Sequence, residues 1–237
     1  MKKPAIARTA GRSGRRALYF PKIDQGAHME KHIVDMSRDP RREQFDYFAP
    51  MADPYMGVTC EVDITSLMER LRRSGAPFFL SFTYEVLAAA NAVPEFRRRI
   101  EGDRVVEYDN CRCSCTVAKP DGAYAYCTLD GALPWEAFLA EGRKALEAAR
   151  DSGTMCEGED CGEYFFVSCI PWLHYTSMTQ PAPCPAYSNV RLSWGRYVTE
   201  NGRTSLPVTV LAHHALVDGI HLGKFYQELE RRVSQNR

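Results

Sequence analysis

The sequence predicts an α/β fold, a two-layer sandwich in which helices pack on one face of a mixed β-sheet. Segments rich in apolar and β-branched residues, typical of buried strands, alternate with segments of ten or more residues that have helical periodicity. Strands interspersed with helices in this way favour one sheet with a helical layer. A chain of 237 residues can bury about 70% of its unfolded surface, so a single domain is expected.

The predicted elements follow one another along most of the chain. Strands are predicted at Val58–Ile64, Val105–Tyr108, Cys111–Val117, Ala123–Thr128, Tyr164–Trp172, Leu192–Tyr197 and Pro207–Ala212. Helices are predicted from Asp63 to Arg73, from Phe78 to Val93, from Pro134 to Arg150 and from Asp218 to Val233. The turn signal Lys119-Pro-Asp-Gly122 joins the third and fourth strands into a hairpin.

Composition and charge limit the possible partners. The formal net charge is zero, so nothing indicates a nucleic acid or an anionic membrane as partner. Residues 1–28 are basic and turn-prone, and we expect a disordered leader there, followed by a single domain over residues 29–237. No apolar core of signal-peptide length follows the basic residues, so a cytoplasmic protein is expected.

The nine cysteines do not indicate a disulfide framework or a metal site. Their number is odd and no signal peptide precedes them, which favours reduced thiols. Cys111, Cys113 and Cys115 would share one face of a strand and are expected to pack as small apolar side chains. Because the sequence has no C-x₂-C pair, structural zinc is not predicted.

The stretch Leu206–Gly223 combines a strand, a histidine pair and a helix start. Adjacent strand residues point to opposite faces, so only one of His213 and His214 can serve a given pocket. Asp218 is a good N-cap for the following helix. Three interpretations are open here: buried histidines beside a helix cap, a metal site, or a histidine that acts as general base toward a hydroxyl.

The motif H-H-A-L-V-D-G in this stretch resembles the HHxxxDG signature of the chloramphenicol acetyltransferase family and its relatives. The same signature marks condensation domains of nonribosomal peptide synthetases, and a close variant marks the acyltransferase core of 2-oxo acid dehydrogenase complexes. A condensation domain needs roughly twice this length, and the acyltransferase core normally follows lipoyl-bearing modules. Length therefore favours the first family.

Three further motifs resemble the same family in the same order. They are the charged and aromatic segment Asp39–Phe48, the S-x-x-P-W of Ser168–Trp172, and the strand Leu192–Tyr197. The resemblance covers residues 39–235. It implies a homotrimer with active sites between subunits, acetyl-CoA as co-substrate and no metal.

The resemblance also implies a role for individual residues. His214 corresponds to the general base, Ser168 to the donor that stabilises the oxyanion, and Arg41 to the ion-pair partner of Asp218. Coenzyme A would contact Trp172, Arg196 and Tyr197, with Ser193 beside them where the family holds a bound water. The acceptor pocket would include Tyr47, Phe48, Tyr126 and Arg191.

These implied roles predict an acetyl-CoA-dependent O-acetyltransferase that acts on a hydroxyl of chloramphenicol. Arg191 and Gln180 stand where the family has apolar pocket residues. An acetyltransferase of the same fold for a different hydroxylated small molecule is therefore an alternative. A non-catalytic relative that binds the drug or coenzyme A is another.

Overall fold

The structure is a computed structural model that describes residues 29–152, 161–181, 183 and 185–235. The predicted leader, residues 1–28, lies outside the described residues. Within the described ranges, no helix is both long and apolar enough to cross a membrane.

The strands of the structure agree with most of the predicted ones. They are β1 (Lys31–Val34), β2 (Tyr55–Asp63), β3 (Arg98–Glu101), β4 (Arg104–Tyr108), β5 (Arg112–Ala118), β6 (Tyr124–Leu129), β7 (Tyr164–Ile170), β8 (Arg191–Gly195), β9 (Val198–Glu200) and β10 (Arg203–His213). The predicted strands 164–172 and 192–197 both end early, at Ile170 and at Gly195. The hairpin of β5 and β6 is confirmed.

The main sheet has the strand order β2-β10-β8-β7-β5-β6, and β9 pairs with β10. The β5–β7 and β7–β8 pairs are parallel, and the other pairs are antiparallel. The predicted mixed sheet is therefore confirmed. A second sheet, of order β1-β4-β3, is separate from the main sheet, whereas a single sheet was predicted. Strand periodicity identifies each strand but does not identify its partner, which explains the difference.

The helices are α1 (Arg42–Phe48), α2 (Thr65–Ser74), α3 (Phe78–Asn91), α4 (Trp135–Ser152) and α5 (Gly219–Ser234). Helix α3 is apolar around most of its circumference and is largely buried, because it packs between α4 and α5. Helix α5 buries one apolar face, which includes Phe225, Leu229 and Val233. Helix α2 begins two residues later than predicted, because Asp63 ends β2 and Ile64 is the N-cap; the Asp63 carboxylate accepts the Thr65 N–H at 2.9 Å.

The main sheet has two different faces because side chains alternate along each strand. Leu192 and Trp194 of β8 are fully buried on the helical side, where the Phe82 ring of α3 lies 5.2 Å from the Trp194 ring. Arg191 and Ser193 point to the other side. We call that second side, which carries no helix within the described part of the chain, the polar face. It positions most of the candidate site.

Strand register determines which residues share the polar face. Ser168 of β7 is level with Ser193, Thr209 of β10 pairs with Ser193, and Thr59 of β2 pairs with Thr209. The segment that follows β7 crosses this face, and Thr209 Oγ1 lies 3.2 Å from the Tyr175 hydroxyl. The polar face and this crossing segment therefore enclose space between them.

Candidate active site

The histidine pair lies where β10 ends in a tight turn. His213 is the last strand residue and is buried, and its carbonyl accepts the N–H groups of Leu216 and Val217, both at 3.0 Å. The His214 N–H donates to Pro54 O at 2.8 Å. His214 has therefore already left the strand, and the two rings have different environments, as predicted.

Two contacts orient the imidazole of His214. Its Nδ1 lies 3.0 Å from the carbonyl oxygen of Val217, and the Phe48 ring stacks on it with centroids 3.8 Å apart. A carbonyl oxygen only accepts hydrogen bonds, so this contact assigns the proton of the neutral ring to Nδ1. Nε2 then keeps its lone pair, and no described residue bonds to it. The geometry is that of a general base.

Arg41 and Asp218 connect the histidine turn to two helices. Arg41, 8% exposed, donates from Nη1 to Asp218 Oδ2 and from Nη2 to the carbonyl oxygen of His214 at 3.0 Å. Asp218 Oδ1 accepts the Ile220 N–H at 3.1 Å and caps α5, as predicted. One guanidinium and one carboxylate thus join α1, the turn and α5.

Electrostatics keep this carboxylate ionised. Burial alone would raise the pKa of Asp218, but attraction to His221 and to Arg41 outweighs burial and lowers the pKa. The Asp218 N–H also donates to His221 Nδ1 at 3.1 Å, which completes a capping box. The predicted Arg41–Asp218 pair is present in the geometry.

His213 is held neutral. Burial, aided by the neighbouring His214, lowers its pKa to about 4. Its Nδ1 accepts the Ala215 N–H at 3.3 Å, a bond that the protonated ring would not make. His213 therefore supports the turn rather than donating or accepting protons near neutral pH.

Ser168 lies half-buried on the polar face, near the end of β7. None of the described residues forms a hydrogen bond with its hydroxyl, so this group is available to a ligand. Ser193, level with it on β8, is buried, and its Oγ lacks a partner among the described residues. Unpaired hydroxyls are uncommon inside proteins and indicate a site where a ligand or water supplies the partner.

Trp172, Arg196 and Tyr197 lie where β7 and β8 end. The Arg196 N–H donates to Leu173 O at 2.7 Å, and this bond joins the segments that follow β7 and β8. Trp172 is 71% exposed, and Arg196 and Tyr197 are also exposed. Exposed aromatic rings and a cation at these strand ends suit a ligand with a base and phosphates.

An open cavity of about 500 Å³ lies between the polar face and the crossing segment. Tyr55, Thr59, Thr209 and Arg191 line the sheet side, and residues 177–180 of the crossing segment line the other. Of the predicted pocket residues, Arg191 lines this cavity. Tyr47 is 67% exposed on α1, Phe48 packs on His214, and Tyr126 lies on the edge strand β6.

Three residues that line the cavity were not predicted: Tyr55, Thr59 and Thr209. Tyr55 and Thr59 each precede the apolar Val62 by an odd number of residues. Because side chains alternate along a strand, this spacing could have placed both of them on the face opposite Val62. The pairing of β2 with β10 was not available from the sequence. No group of three or more potential metal ligands occurs among the described residues, so the metal interpretation gains no support.

The mixed sheet, its helical layer and the histidine turn at the end of β10 define a class of acyltransferases. A family model described as chloramphenicol acetyltransferase matches residues 29–230. The chain belongs to the chloramphenicol acetyltransferase family, and the predicted resemblance is confirmed.

Individual relatives agree with this assignment. A chloramphenicol acetyltransferase of Klebsiella sp. is 26% identical over 217 residues, covering 86% of this chain and 96% of the relative. One from Streptomyces acrimycini is 27% identical over 210 residues, covering 83% and 91%. A solved chloramphenicol acetyltransferase structure superposes with a TM-score of 0.78 at 30% identity, covering 85% of this chain and 99% of that one. A probable dihydrolipoamide acetyltransferase from Listeria monocytogenes, with a TM-score of 0.61 and 17% identity, shares the fold.

Replacing Arg41 by Leu should destabilise the protein, because the Asp218 carboxylate would lose its cation. A fully buried broken pair costs about 3–5 kcal/mol, and partial exposure of Asp218 reduces the expected loss to roughly 2–3 kcal/mol. Thermal unfolding should detect a melting temperature lower by roughly 5–10 °C. Arg42→Leu, which removes an exposed ion pair with Asp46, is the control and should change the melting temperature little. Equal melting of the two variants would contradict the role of Arg41.

His213 should make the protein less stable in acid. Its pKa is lowered to about 4 in the folded state, so the unfolded chain, with a histidine pKa of about 6.5, binds the proton more strongly. Stability is then lost as the pH falls below about 6.5, by at most roughly 1.4 kcal/mol per pH unit and about 3 kcal/mol down to pH 4.

Urea midpoints measured between neutral pH and about pH 4 would test this slope. His213→Gln should flatten the slope relative to the unsubstituted protein. His32→Gln, which replaces an exposed histidine, should leave it unchanged. An unchanged slope in His213→Gln would show that other groups cause the acid sensitivity.

Proposed function

We propose that the protein is an acetyl-CoA-dependent O-acetyltransferase that acetylates a hydroxyl of chloramphenicol. The observation that supports this most strongly is the ring of His214, which is fixed at Nδ1 and free at Nε2. Chloramphenicol is proposed as the acceptor because the relatives are named chloramphenicol acetyltransferases. An enzyme of this kind belongs in the cytoplasm, where acetyl-CoA is present and free thiols like those of the described cysteines persist.

The reaction begins with proton transfer from the acceptor hydroxyl to His214 Nε2. The resulting oxygen nucleophile attacks the thioester carbonyl, and the Ser168 hydroxyl donates a hydrogen bond to the oxyanion that forms. A donor placed at developing charge lowers the barrier by roughly 2.7–4 kcal/mol. The C–S bond then breaks, and the proton held by His214 passes to the sulfur of coenzyme A.

Binding and positioning are assigned to groups around this centre. Trp172, Arg196 and Tyr197 offer stacking surfaces and a cation to coenzyme A, and Ser193 would hold a water beside Ser168. Arg41 and Asp218 act as positioning residues, because they fix the turn through the carbonyl of His214. Tyr47, Phe48 and Tyr126 would complete the acceptor pocket in the assembled enzyme.

The active form is proposed to be a homotrimer with shared sites. In the described part of one chain, His214 does not line the cavity that contains Arg191. Exposed apolar side chains near the histidine turn, Tyr47 and Ile220, offer a surface that a neighbouring chain would cover. The base of one subunit would then face the cavity of the next.

A second candidate is an O-acetyltransferase for a different hydroxylated small molecule. The specific observation that favours it is Arg191, a buried cation in a cavity where apolar contacts would suit a neutral drug. The chemistry at His214 and Ser168 would be the same. The two candidates differ only in the acceptor.

His214→Ala should lower the rate of thiol release from acetyl-CoA with chloramphenicol as acceptor. General-base catalysis contributes about 10²–10⁴-fold, so a loss of that size is expected without a change in melting temperature. His32→Ala, at an exposed site, should keep the full rate. Near-normal turnover of a folded His214→Ala protein would rule out the assigned base.

Mixed trimers provide a control that also tests the shared site. His214→Ala and Ser168→Ala chains should each be nearly inactive alone. When they are produced together, a site with the intact base of one chain and the intact serine of its neighbour should restore part of the activity. No recovery in mixed assemblies would mean that each site lies within one chain or that no trimer forms.

A further inference from the structure

Arg191 is a buried cation that has no carboxylate partner among the described residues. Its side chain is on the polar face, the residue is 7% exposed, and none of the described acidic residues forms an ion pair with it. The acidic residue that lines the same cavity, Asp53, is exposed, and its carboxylate accepts the Tyr55 N–H at 3.4 Å. Buried charges in proteins are normally paired, so Arg191 is an exception that requires a reason.

A backbone carbonyl and two aromatic rings hold the guanidinium in place. Nη1 donates to the carbonyl oxygen of Pro181, and the planar group lies over the rings of Tyr55 and Phe166, 5.1 and 5.9 Å from their centroids. Nε is buried without an acceptor among the described residues, and the guanidinium also interacts with the Tyr55 side chain. Nε and Nη2 form the edge that binds a carboxylate through two parallel hydrogen bonds.

Other donors line the same cavity. Gln180 also lines the cavity, and its Nε2 is buried without a partner among the described residues. Ser177 and Thr179 add hydroxyl groups to the same wall. A cavity with unpaired donors and a cation is poorly matched to an apolar ligand but well matched to an anion.

We propose that the cavity binds hydroxylated acceptors that bear a carboxylate and prefers them to neutral acceptors. The carboxylate pairs with the Nε–Nη2 edge of Arg191 and accepts from Gln180, while the hydroxyl faces the catalytic base. This inference rests on the proposed acetyl transfer and specifies its acceptor. A phosphate dianion would require more positive charge than Arg191, which is the one cation among the described lining residues.

The test compares two acceptors that differ only in charge. One is a chloramphenicol analogue whose nitro group is replaced by a carboxylate, and the other is the methyl ester of that analogue. Thiol release should give a kcat/KM at least about tenfold higher for the carboxylate, since a hydrogen bond to a charged group is worth roughly 10- to 100-fold. A wild-type protein that uses the ester equally well or better would overturn the proposal.

Variants then assign the preference to Arg191. Arg191→Leu should reduce the ratio of the two kcat/KM values to about one or below, and Arg191→Gln serves the same purpose should the leucine variant fail to fold. Arg191→Lys keeps the charge but not the paired edge and should retain only part of the preference. Arg73→Leu, which removes an exposed arginine of α2, is the matched control and should keep the wild-type ratio. An unchanged ratio in both Arg191→Leu and Arg191→Gln would also overturn the proposal.

Failure of the proposed acetyl transfer would be visible separately. In that case chloramphenicol, the carboxylate and the ester would all give no thiol release from the wild-type protein. Calorimetric binding of the two analogues would then decide the role of Arg191. If the wild type binds the carboxylate analogue more tightly than the ester and Arg191→Leu does not, the role of Arg191 is supported. If the wild type binds the two analogues equally, that role is rejected.

Discussion

The ion pair of Arg41 and Asp218 is the interaction on which the site depends. It joins residues 177 positions apart in the chain and places one guanidinium against both the carboxylate that caps α5 and the carbonyl oxygen of His214. Without the cation, the turn after β10 would keep a partly buried carboxylate and a carbonyl that has lost its donor. The orientation of His214 therefore follows from a contact that lies outside the catalytic centre, with Phe48 supplying the stacking surface.

Side chains alternate between the two faces of the main sheet, so one face packs in the core and the other contributes to the site. Trp194 and Leu192 pack under α3, whereas Arg191 and Ser193, their immediate neighbours, face the cavity side. A change of register by one residue would exchange these two sets. The same strand thus contributes to the core and to the site, and the polar side chains of the second face are tolerated because the crossing segment leaves room for a ligand there.

Much of the fold and part of the site could be predicted from the sequence. Apolar runs and helical periodicity identified the strands and helices, and the HHxxxDG resemblance located the His214 turn and its partner Arg41. Pairing between distant strands could not be predicted, so the separate sheet of β1, β4 and β3 and the contribution of Tyr55 to the cavity were missed. Arg191 was expected to be unusual at a position where the family has an apolar residue, but only the structure shows that its Nε has no acceptor among the described residues while its plane lies over two rings.

The central claim is that the turn holds His214 with a proton on Nδ1 and a lone pair on Nε2. Nitrogen NMR of ¹⁵N-histidine-labelled protein, with the His214 signals identified by their loss in a His214 variant, tests it most directly. In the neutral ring, we expect a protonated Nδ1 shift and an unprotonated Nε2 shift. A protonated Nε2 with a bare Nδ1 would contradict the hydrogen bond to Val217 and the role of His214 as general base.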